Sequence, residues 1–180
     1  MDSFESKSEI RQRVISQRPQ PSTGLAANLV RLAFELDANV IASYQPLANE
    51  PDVAEFNLWV RSMGKTLLLP RIEGENLVFA EGELEIGSHG IYEPSGSPHD
   101  LAEAQLILLP ALAVDKSGNR LGKGKGFYDR ALAQVQGIAK YAVVFDSEIL
   151  DSIPTESHDV WVTGAVTPTA IHHFRASAIS

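Results

Sequence analysis

The 180-residue sequence contains no cysteine, which excludes disulfides, thiolate metal ligands and a cysteine nucleophile. Its formal net charge is −8, and this acidic balance argues against a surface that coats DNA or RNA. No apolar run approaches the roughly 20 residues needed to span a bilayer, and the polar N-terminus lacks the apolar core of a signal peptide. We therefore expect a cytoplasmic monomer that contacts neither nucleic acid nor membrane.

Hydrophobic residues make up 44% of the chain, enough for the core of one domain over residues 1–180. Uninterrupted apolar runs alternate with segments of helical period. We expect buried strands at 40–44, 66–69, 106–109, 141–145 and 160–163, a weaker strand at 77–80 and a turn at 92–94. We expect helices at 5–17, after a cap at Ser22, after a cap at Asp52, and at 128–135. This alternation predicts a single-domain, three-layer α/β fold with a mainly parallel central sheet flanked by helices.

The most unusual segment lies between residues 118 and 130 and reads Gly-Asn-Arg-Leu-Gly-Lys-Gly-Lys-Gly-Phe-Tyr-Asp-Arg. Alternating glycines let consecutive backbone N–H groups face one concavity, because no Cβ forbids positive φ. Such a concavity binds anions, and the two lysines add cationic reach. A helix that begins directly after the glycines would point its N-terminus at the same anion. In an acidic protein, this concentration of positive charge predicts a phosphate site.

The loop fits neither of two common phosphate motifs. The Walker motif requires serine or threonine after its lysine, and here Lys123 is followed by glycine. The dinucleotide fingerprint fails because the run from Gly122 to Gly126 is one residue short. The pattern alone leaves anion binding and an ordinary flexible loop open as alternatives. Asp129, in the first turn of the helix, could complement the helix dipole or hold Mg²⁺ against phosphates.

The segment from Gly118 to Asp129 resembles the ATP loop of the 5-formyltetrahydrofolate cyclo-ligase family, also called methenyltetrahydrofolate synthetases. Shorter matches follow the family order along nearly the whole chain. They are Lys7 with Arg11, Tyr44–Pro46, Glu50–Asp52, Gly64-Lys65, Leu69–Arg71, Glu93-Pro94, Leu109-Pro110, Asp115, Pro154 and His158-Asp159. Within the loop, the sequence departs from the family pattern at Lys123 and Lys125, where an aromatic and a glycine are commoner, and at Phe127, where tyrosine is usual; these changes keep the chemistry. It also departs at Glu148, where glutamine is usual, and at Ala113, where an aromatic is frequent, and these two departures concern the specificity of the pocket.

The resemblance implies an enzyme that uses ATP and Mg²⁺ to convert 5-formyltetrahydrofolate into 5,10-methenyltetrahydrofolate, ADP and phosphate. It implies Arg120 and Lys125 as catalytic cations and Asp129 with Asp159 as Mg²⁺ ligands. Because side chains of a loop add little to the core, we separately expect Arg120 and Lys125 to matter far more for ATP use than for folding. The ATP contacts that it implies are Lys7, Arg11, Arg120, Leu121, Gly122, Lys123, Gly124, Lys125, Gly126, Phe127 and Tyr128. The substrate contacts that it implies are Tyr44, Glu50, Lys123, Gly124, Lys125, Gly126 and Phe127.

Other interpretations of the same residues stay open. A divergent homologue could be a nucleotide- or phosphate-binding module, or could act in thiamine-related metabolism. An enzyme like the sugar-phosphate isomerases would bind phosphate without ATP. Taken alone, Lys7 and Arg11 have the spacing of a solvated helix face, and Tyr44 is typical of a buried strand. His158 beside Asp159 is typical of a surface ion pair.

Overall fold

The computed structural model describes residues 5–174, so residues 1–4 and 175–180 of the expected domain lie outside the described residues. The helices are α1 (Lys7–Ser16), α2 (Leu25–Glu35), α3 (Ala54–Ser62) and α4 (Phe127–Leu132). The strands are β1 (Val40–Ala42), β2 (Thr66–Glu73), β3 (Asn76–Ala80), β4 (Leu84–Ile86), β5 (Tyr92–Pro94), β6 (Pro98–His99), β7 (Leu106–Pro110), β8 (Ala113–Asp115), β9 (Arg120–Leu121), β10 (Ala139–Val143), β11 (Ile149–Leu150), β12 (Gly164–Val166) and β13 (Ile171–His173).

Eight strands form the central sheet, in the order β13-β12-β10-β7-β1-β2-β3-β6. The five strands from β12 to β2 in this order run parallel to one another. At one edge of the sheet β13 pairs antiparallel with β12, and at the other edge β3 pairs antiparallel with β2 and β6 pairs antiparallel with β3. Ile41 of β1 pairs with Leu67 on one side and with Leu106 on the other. Parallel strands of this kind are apolar throughout because both faces of the sheet are covered. The predicted mainly parallel sheet is confirmed.

Helices cover both faces of this sheet and create two apolar cores. On one face, α2 and α3 pack side chains such as Leu29 and Phe56 against the strands. On the other face, Leu132 of α4 packs with Ile107 and Ala142. Each such side chain contributes about 1.5–3 kcal/mol when it leaves water. The three predicted layers are confirmed. Within residues 5–174, no helix combines the length and the apolar character needed to cross a membrane.

Two of the predicted helix caps lie one or two residues away from the true helix starts. Gly24, with φ of +92°, is the N-cap of α2, and the Ser22 hydroxyl instead accepts a hydrogen bond from the Asp52 amide. Val53 holds the cap position of α3, although the Asp52 carboxylate accepts a bond from the Ala54 amide. The predicted cap at Ser22 is therefore wrong, whereas Asp52 does accept from the first amide of α3, although Val53 holds the cap position.

The predicted strand at 160–163 and the predicted turn at 92–94 are wrong. The fifth parallel strand is Gly164–Val166, in which Gly164 lies opposite Tyr141. A Cβ on Gly164 would overlap the Tyr141 ring, so the close approach of the two strands requires glycine there. Residues 92–94 form β5, which pairs with β4 in a separate two-stranded sheet.

Candidate active site

A cleft of about 640 Å³ opens at the carboxyl ends of β1 and β7, where Tyr44, Gln45, Pro110 and Ala111 line it. From β1 the chain proceeds to β2 on one side and later returns to β7 on the other. The cleft therefore lies where the strand order reverses, which is where open α/β sheets bind their ligands.

Every residue that the sequence singled out as a site residue lines this cleft. They are Lys7, Arg11, Tyr44, Glu50, Arg120, Leu121, Gly122, Lys123, Gly124, Lys125, Gly126, Phe127, Tyr128, Asp129 and Asp159. They come from α1, from the segment after β1, from β9, from the glycine loop with the start of α4, and from the segment before β12. Glu148 and Ala113, the departures from the family pattern outside the loop, do not line the cleft.

The glycine loop, residues 122–126, needs its glycines for two different reasons. Gly124 and Gly126 have φ of +99° and +71°, which side chains with a Cβ rarely adopt. At Gly122 an added Cβ would lie 3.2 Å from Nη1 of Arg120, so the restriction there is space. Within residues 5–174, the backbone N–H groups of the loop find no acceptor. These amides are available to bind an anion.

Arg120 lies beneath the glycine loop as a buried, fixed cation with 8% of its surface exposed. Its Nη1 donates to the carbonyl of Pro110 at 2.9 Å, and its Nη2 lies 3.5 Å from Oδ1 of Asp129. Its guanidinium also lies 5.7 Å from the centre of the Tyr128 ring. Among the described residues, Nε of Arg120 has no hydrogen-bond acceptor. The expectation that Arg120 contributes little to folding is therefore wrong, because β9 places it inside the molecule.

The two lysines of the glycine loop differ in their surroundings. Nζ of Lys123 donates to Oε1 of Glu50 at 2.8 Å. The other carboxylate oxygen of Glu50, a buried residue, accepts from the Leu47 amide at 2.9 Å. Lys125 is exposed, and its ammonium has no acidic partner among the residues that the structure describes. Lys123 thus ties the loop to the end of β1, while Lys125 is held by its backbone alone.

Helix α1 places two cations over the glycine loop. Nζ of Lys7 lies 2.7 Å from Oδ2 of Asp159 and 3.5 Å from Oε2 of Glu156. Nε of Arg11 donates to the carbonyl of Gly122 at 2.8 Å. The alternative of a solvated helix face is wrong, because both side chains are bonded to residues of the cleft.

A cluster of donor groups borders the same end of the cleft. Ligand atoms of Glu156, His158 and Asp159 lie within 4.8 Å of one another. Partial burial raises the pKa of Asp159, but hydrogen bonds from Lys7 and from the Glu156 amide outweigh it, and the net pKa lies below its usual value. Oδ1 of Asp129 accepts from the amide of Val160 at 3.2 Å, so this carboxylate contacts the chain one residue beyond Asp159. Sequence reasoning missed Glu156, which no motif marks.

The aromatic rings of Tyr44 and Tyr128 form part of the cleft wall and are buried for most of their surface. The Tyr44 hydroxyl donates to the Pro51 carbonyl at 3.1 Å. Burial, and then the charge of Glu50, raise the pKa of both tyrosines well above the usual value. Both hydroxyls therefore stay protonated at neutral pH, and neither supplies a general base.

An apolar wall also lines the cleft, and only one part of it, Leu77, lies in a strand that the sequence predicted. It is formed by Ile72 of β2, Leu77 of β3, and Ile91 with Tyr92 at the start of β5. These residues fall in a stretch rich in glycine, glutamate and serine, for which the sequence predicted only a weak strand at 77–80 and a turn at 92–94. The cleft is therefore lined by cationic and by apolar side chains, a combination that suits a ligand with a polyanionic part and an aromatic part.

Comparison with known proteins agrees with this geometry. Residues 5–168 match the model of the 5-formyltetrahydrofolate cyclo-ligase family. The cyclo-ligase of Mycolicibacterium smegmatis is 33% identical over 182 residues, 91% of this chain and 94% of that protein. That of Escherichia coli is 26% identical, over 89% and 96%. The solution structure of 5,10-methenyltetrahydrofolate synthetase from Aquifex aeolicus has a TM-score of 0.78 and 28% identity, covering 97% of this chain and 95% of that one. The loop, the cleft and these relatives agree, and the chain belongs to the 5-formyltetrahydrofolate cyclo-ligase family of enzymes.

Proposed function

We propose that this chain catalyses the ATP- and Mg²⁺-dependent cyclisation of 5-formyltetrahydrofolate to 5,10-methenyltetrahydrofolate, with release of ADP and phosphate. The observation that carries the proposal is one cleft that is lined by loop amides without acceptors among the described residues, by cations, by buried Glu50 and by an apolar wall. Relatives named as cyclo-ligases align over nearly the whole chain, which supports the same activity here.

The reaction needs a leaving group on the formyl carbon, because an amide oxygen leaves poorly. The formyl oxygen attacks the γ-phosphorus of ATP, the bond from that phosphorus to the β–γ bridging oxygen breaks, and ADP departs. The lone pair of N10 then attacks the carbon of the resulting iminium phosphate, and the N10 proton passes to solvent. The carbon–oxygen bond breaks, phosphate leaves, and the N5–C–N10 bridge of the product remains. Positioning and charge neutralisation are the protein's main tasks in such transfers.

The cationic side chains of the cleft would bind and neutralise the triphosphate. The loop amides would donate to phosphate oxygens, and Lys7 with Arg11 would approach from α1. Arg120 and Lys125 would carry the charge that develops during transfer, because a guanidinium fork matches phosphate oxygens. Buried Arg120 needs no reorganisation for this role.

The remaining residues would place the folate. The Glu50 carboxylate would accept hydrogen bonds from N–H groups of the pterin, with Tyr44 beneath the ring and Phe127 beside it. Lys123, which is bonded to Glu50, would contact both ligands. The apolar wall would exclude water from the formyl group, whose phosphorylated form is sensitive to hydrolysis.

The acidic residues beside the loop fit Mg²⁺. Carboxylate oxygens are the donors that this ion prefers, and the lowered pKa keeps Asp159 ionised. Asp129 and Asp159 would hold the ion, which when bound neutralises charge on phosphate oxygens. Lys7, now bonded to Asp159, would then be released toward the phosphates.

We further infer that the chain acts in the cytoplasm as a monomer with a single domain. The described residues of this chain supply cationic, acidic and apolar groups to the cleft, which supports the monomer. Size-exclusion chromatography with light scattering tests this: a mass of one chain is expected, and a dimer would contradict it.

Absorbance in the near ultraviolet tests the proposed reaction, because the methenyl product absorbs there and 5-formyltetrahydrofolate does not. Product should appear only when ATP and Mg²⁺ are both present, and chelation with EDTA should stop it. ATP binding without turnover of the folate would instead favour a nucleotide-binding module. Phosphate binding without any use of ATP would favour an isomerase-like enzyme.

A further inference from the structure

Arg18 and Glu148 form a buried ion pair away from the cleft. Nε and Nη2 of Arg18 each lie 2.7 Å from a different oxygen of Glu148, and each side chain is only 1% exposed. Nη2 also donates to the carbonyl of Ala111 at 2.7 Å, while Glu148 accepts from the Phe145 amide at 2.9 Å. The pair therefore joins the chain after α1 to the segments that follow β7 and β10.

The segment after β7 is held from two sides. Arg18 binds the carbonyl of Ala111, and Arg120 binds the carbonyl of the preceding residue, Pro110, at 2.9 Å. Pro110 and Ala111 both line the cleft, whereas Arg18 and Glu148 do not. The buried pair thus lies directly behind the floor of the cleft.

Helix α1 depends on such tethers because its own packing is slight. Its only buried residues are Ile10 and Val14, which pack on a small cluster that includes Leu112 and Leu121. Arg18 follows the helix closely, beyond its C-cap Gln17. The polar bonds of Lys7 and Arg11 fix one side of the helix to the cleft, and the Arg18–Glu148 pair fixes its far end.

We propose that Arg18 and Glu148 are positioning residues, which hold α1 at the angle that directs Lys7 and Arg11 onto the nucleotide phosphates. The role of those two cations rests on the proposed function. The anchoring of α1 itself rests on the contacts alone. A buried ion pair is a costly way to gain stability, and fixing one arrangement of the chain is a use that such pairs can have.

The double variant Arg18→Met with Glu148→Met tests this, because apolar side chains can replace the two charges of a buried pair without leaving either charge alone. We expect the unfolding free energy to fall only by the cost of the Ala111 carbonyl and the Phe145 amide, which lose their partners, and we expect faster hydrogen exchange at the amides of α1. The KM for ATP should rise about tenfold, as expected for weakened charge-assisted bonds to phosphate. The KM for 5-formyltetrahydrofolate should stay within twofold.

Arg18→Lys keeps the charge and one hydrogen bond, so its KM for ATP and its exchange rates should fall between those of the wild type and the double variant. Arg13→Met is the matched control, since Arg13 belongs to the same helix and forms an exposed pair with Glu5. The proposal would be overturned if the double variant showed both unchanged hydrogen exchange in α1 and an unchanged KM for ATP. If the double variant does not fold, the same two results in Arg18→Lys would overturn it. If the wild type uses no ATP, the proposed function fails, and exchange in α1 alone decides the anchoring.

Discussion

Nζ of Lys123 and Oε1 of Glu50 lie 2.8 Å apart and connect the glycine loop to the end of β1. The lysine side chain is 44% exposed and the glutamate side chain is 6% exposed, so the anion is fixed and the cation can leave. Glu50 is proposed to bind the folate, and Lys123 is proposed to contact both the folate and ATP. Neither side chain is fully available to a ligand while the bond between them persists. Binding of the folate to Glu50 should therefore release Lys123 toward the phosphates.

Glu50→Gln should raise the KM for 5-formyltetrahydrofolate about 10- to 100-fold, since hydrogen bonds to a charged group contribute roughly 1.5–3 kcal/mol. The KM for ATP should change much less. Steady-state kinetics measure both values. Glu55→Gln, on the exposed face of α3, is the control and should behave like the wild type. An unchanged KM for the folate would remove Glu50 from the substrate site.

Lys125→Ala and Arg120→Ala should differ in their effect on stability. Lys125 is exposed, so its loss should change the unfolding free energy by less than about 0.5 kcal/mol while activity falls strongly. Loss of Arg120 also leaves the Pro110 carbonyl without its donor, at a cost of about 1–3 kcal/mol. Urea unfolding beside the absorbance assay measures both effects. Equal stability of the two variants would contradict the structural role of Arg120.

Asp129→Asn should raise the Mg²⁺ concentration for half-maximal activity about tenfold, because one charged ligand becomes neutral. The asparagine oxygen can still accept from the Val160 amide, so the fold should persist. Magnesium titration of the wild type and the variant checks this, with the exposed Asp151→Asn as control. Coincident titration curves would show that Asp129 does not hold the ion.

The bond between Lys7 and Asp159 should make part of the stability depend on pH. Burial raises the pKa of Asp159, but the bonds from Lys7 and the Glu156 amide lower it by more than burial raises it, so the net pKa lies below its usual value. The stabilisation that the ionised Asp159 carboxylate contributes is therefore complete above the unfolded pKa of about 3.9, and it is lost as pH falls below that value. The difference in unfolding free energy between the wild type and Asp159→Asn should be constant from pH 7 to 5 and shrink toward pH 3. A difference that does not vary with pH would contradict the bond.

The apolar strands and the glycine loop could be predicted because their signals are local. A run such as 106–109 can only be buried, and the glycines stand next to the lysines that they present. The strand at Gly164–Val166 could not be predicted in this way, because it is short and the contacts that require its glycine, with Tyr141 and with the His172 carbonyl, come from neighbouring strands. Only Leu77 of the apolar wall lay in a predicted strand, since Ile72, Ile91 and Tyr92 join it only once the chain has folded.

The contacts of the site that were missed join distant parts of the sequence. Arg18 and Glu148 are separated by 130 positions, and neither stands in a motif that predicts a partner. Arg120 was predicted as a phosphate ligand from its place beside the glycines. Its burial became apparent only once the β8–β9 pairing was known, because Pro110 supplies its acceptor.

The two reasons for glycine in the loop have a consequence for chirality. At Gly124 a Cβ would make only ordinary contacts, so the handedness of the backbone is what excludes a side chain, and D-alanine introduced by chemical synthesis should fit the φ angle that L-alanine resists. At Gly122 the obstacle to L-alanine is the guanidinium beneath the chain, and the backbone itself is permissive. Mirror-image substitution would thus separate the part of the loop that is shaped by its own torsions from the part shaped by Arg120.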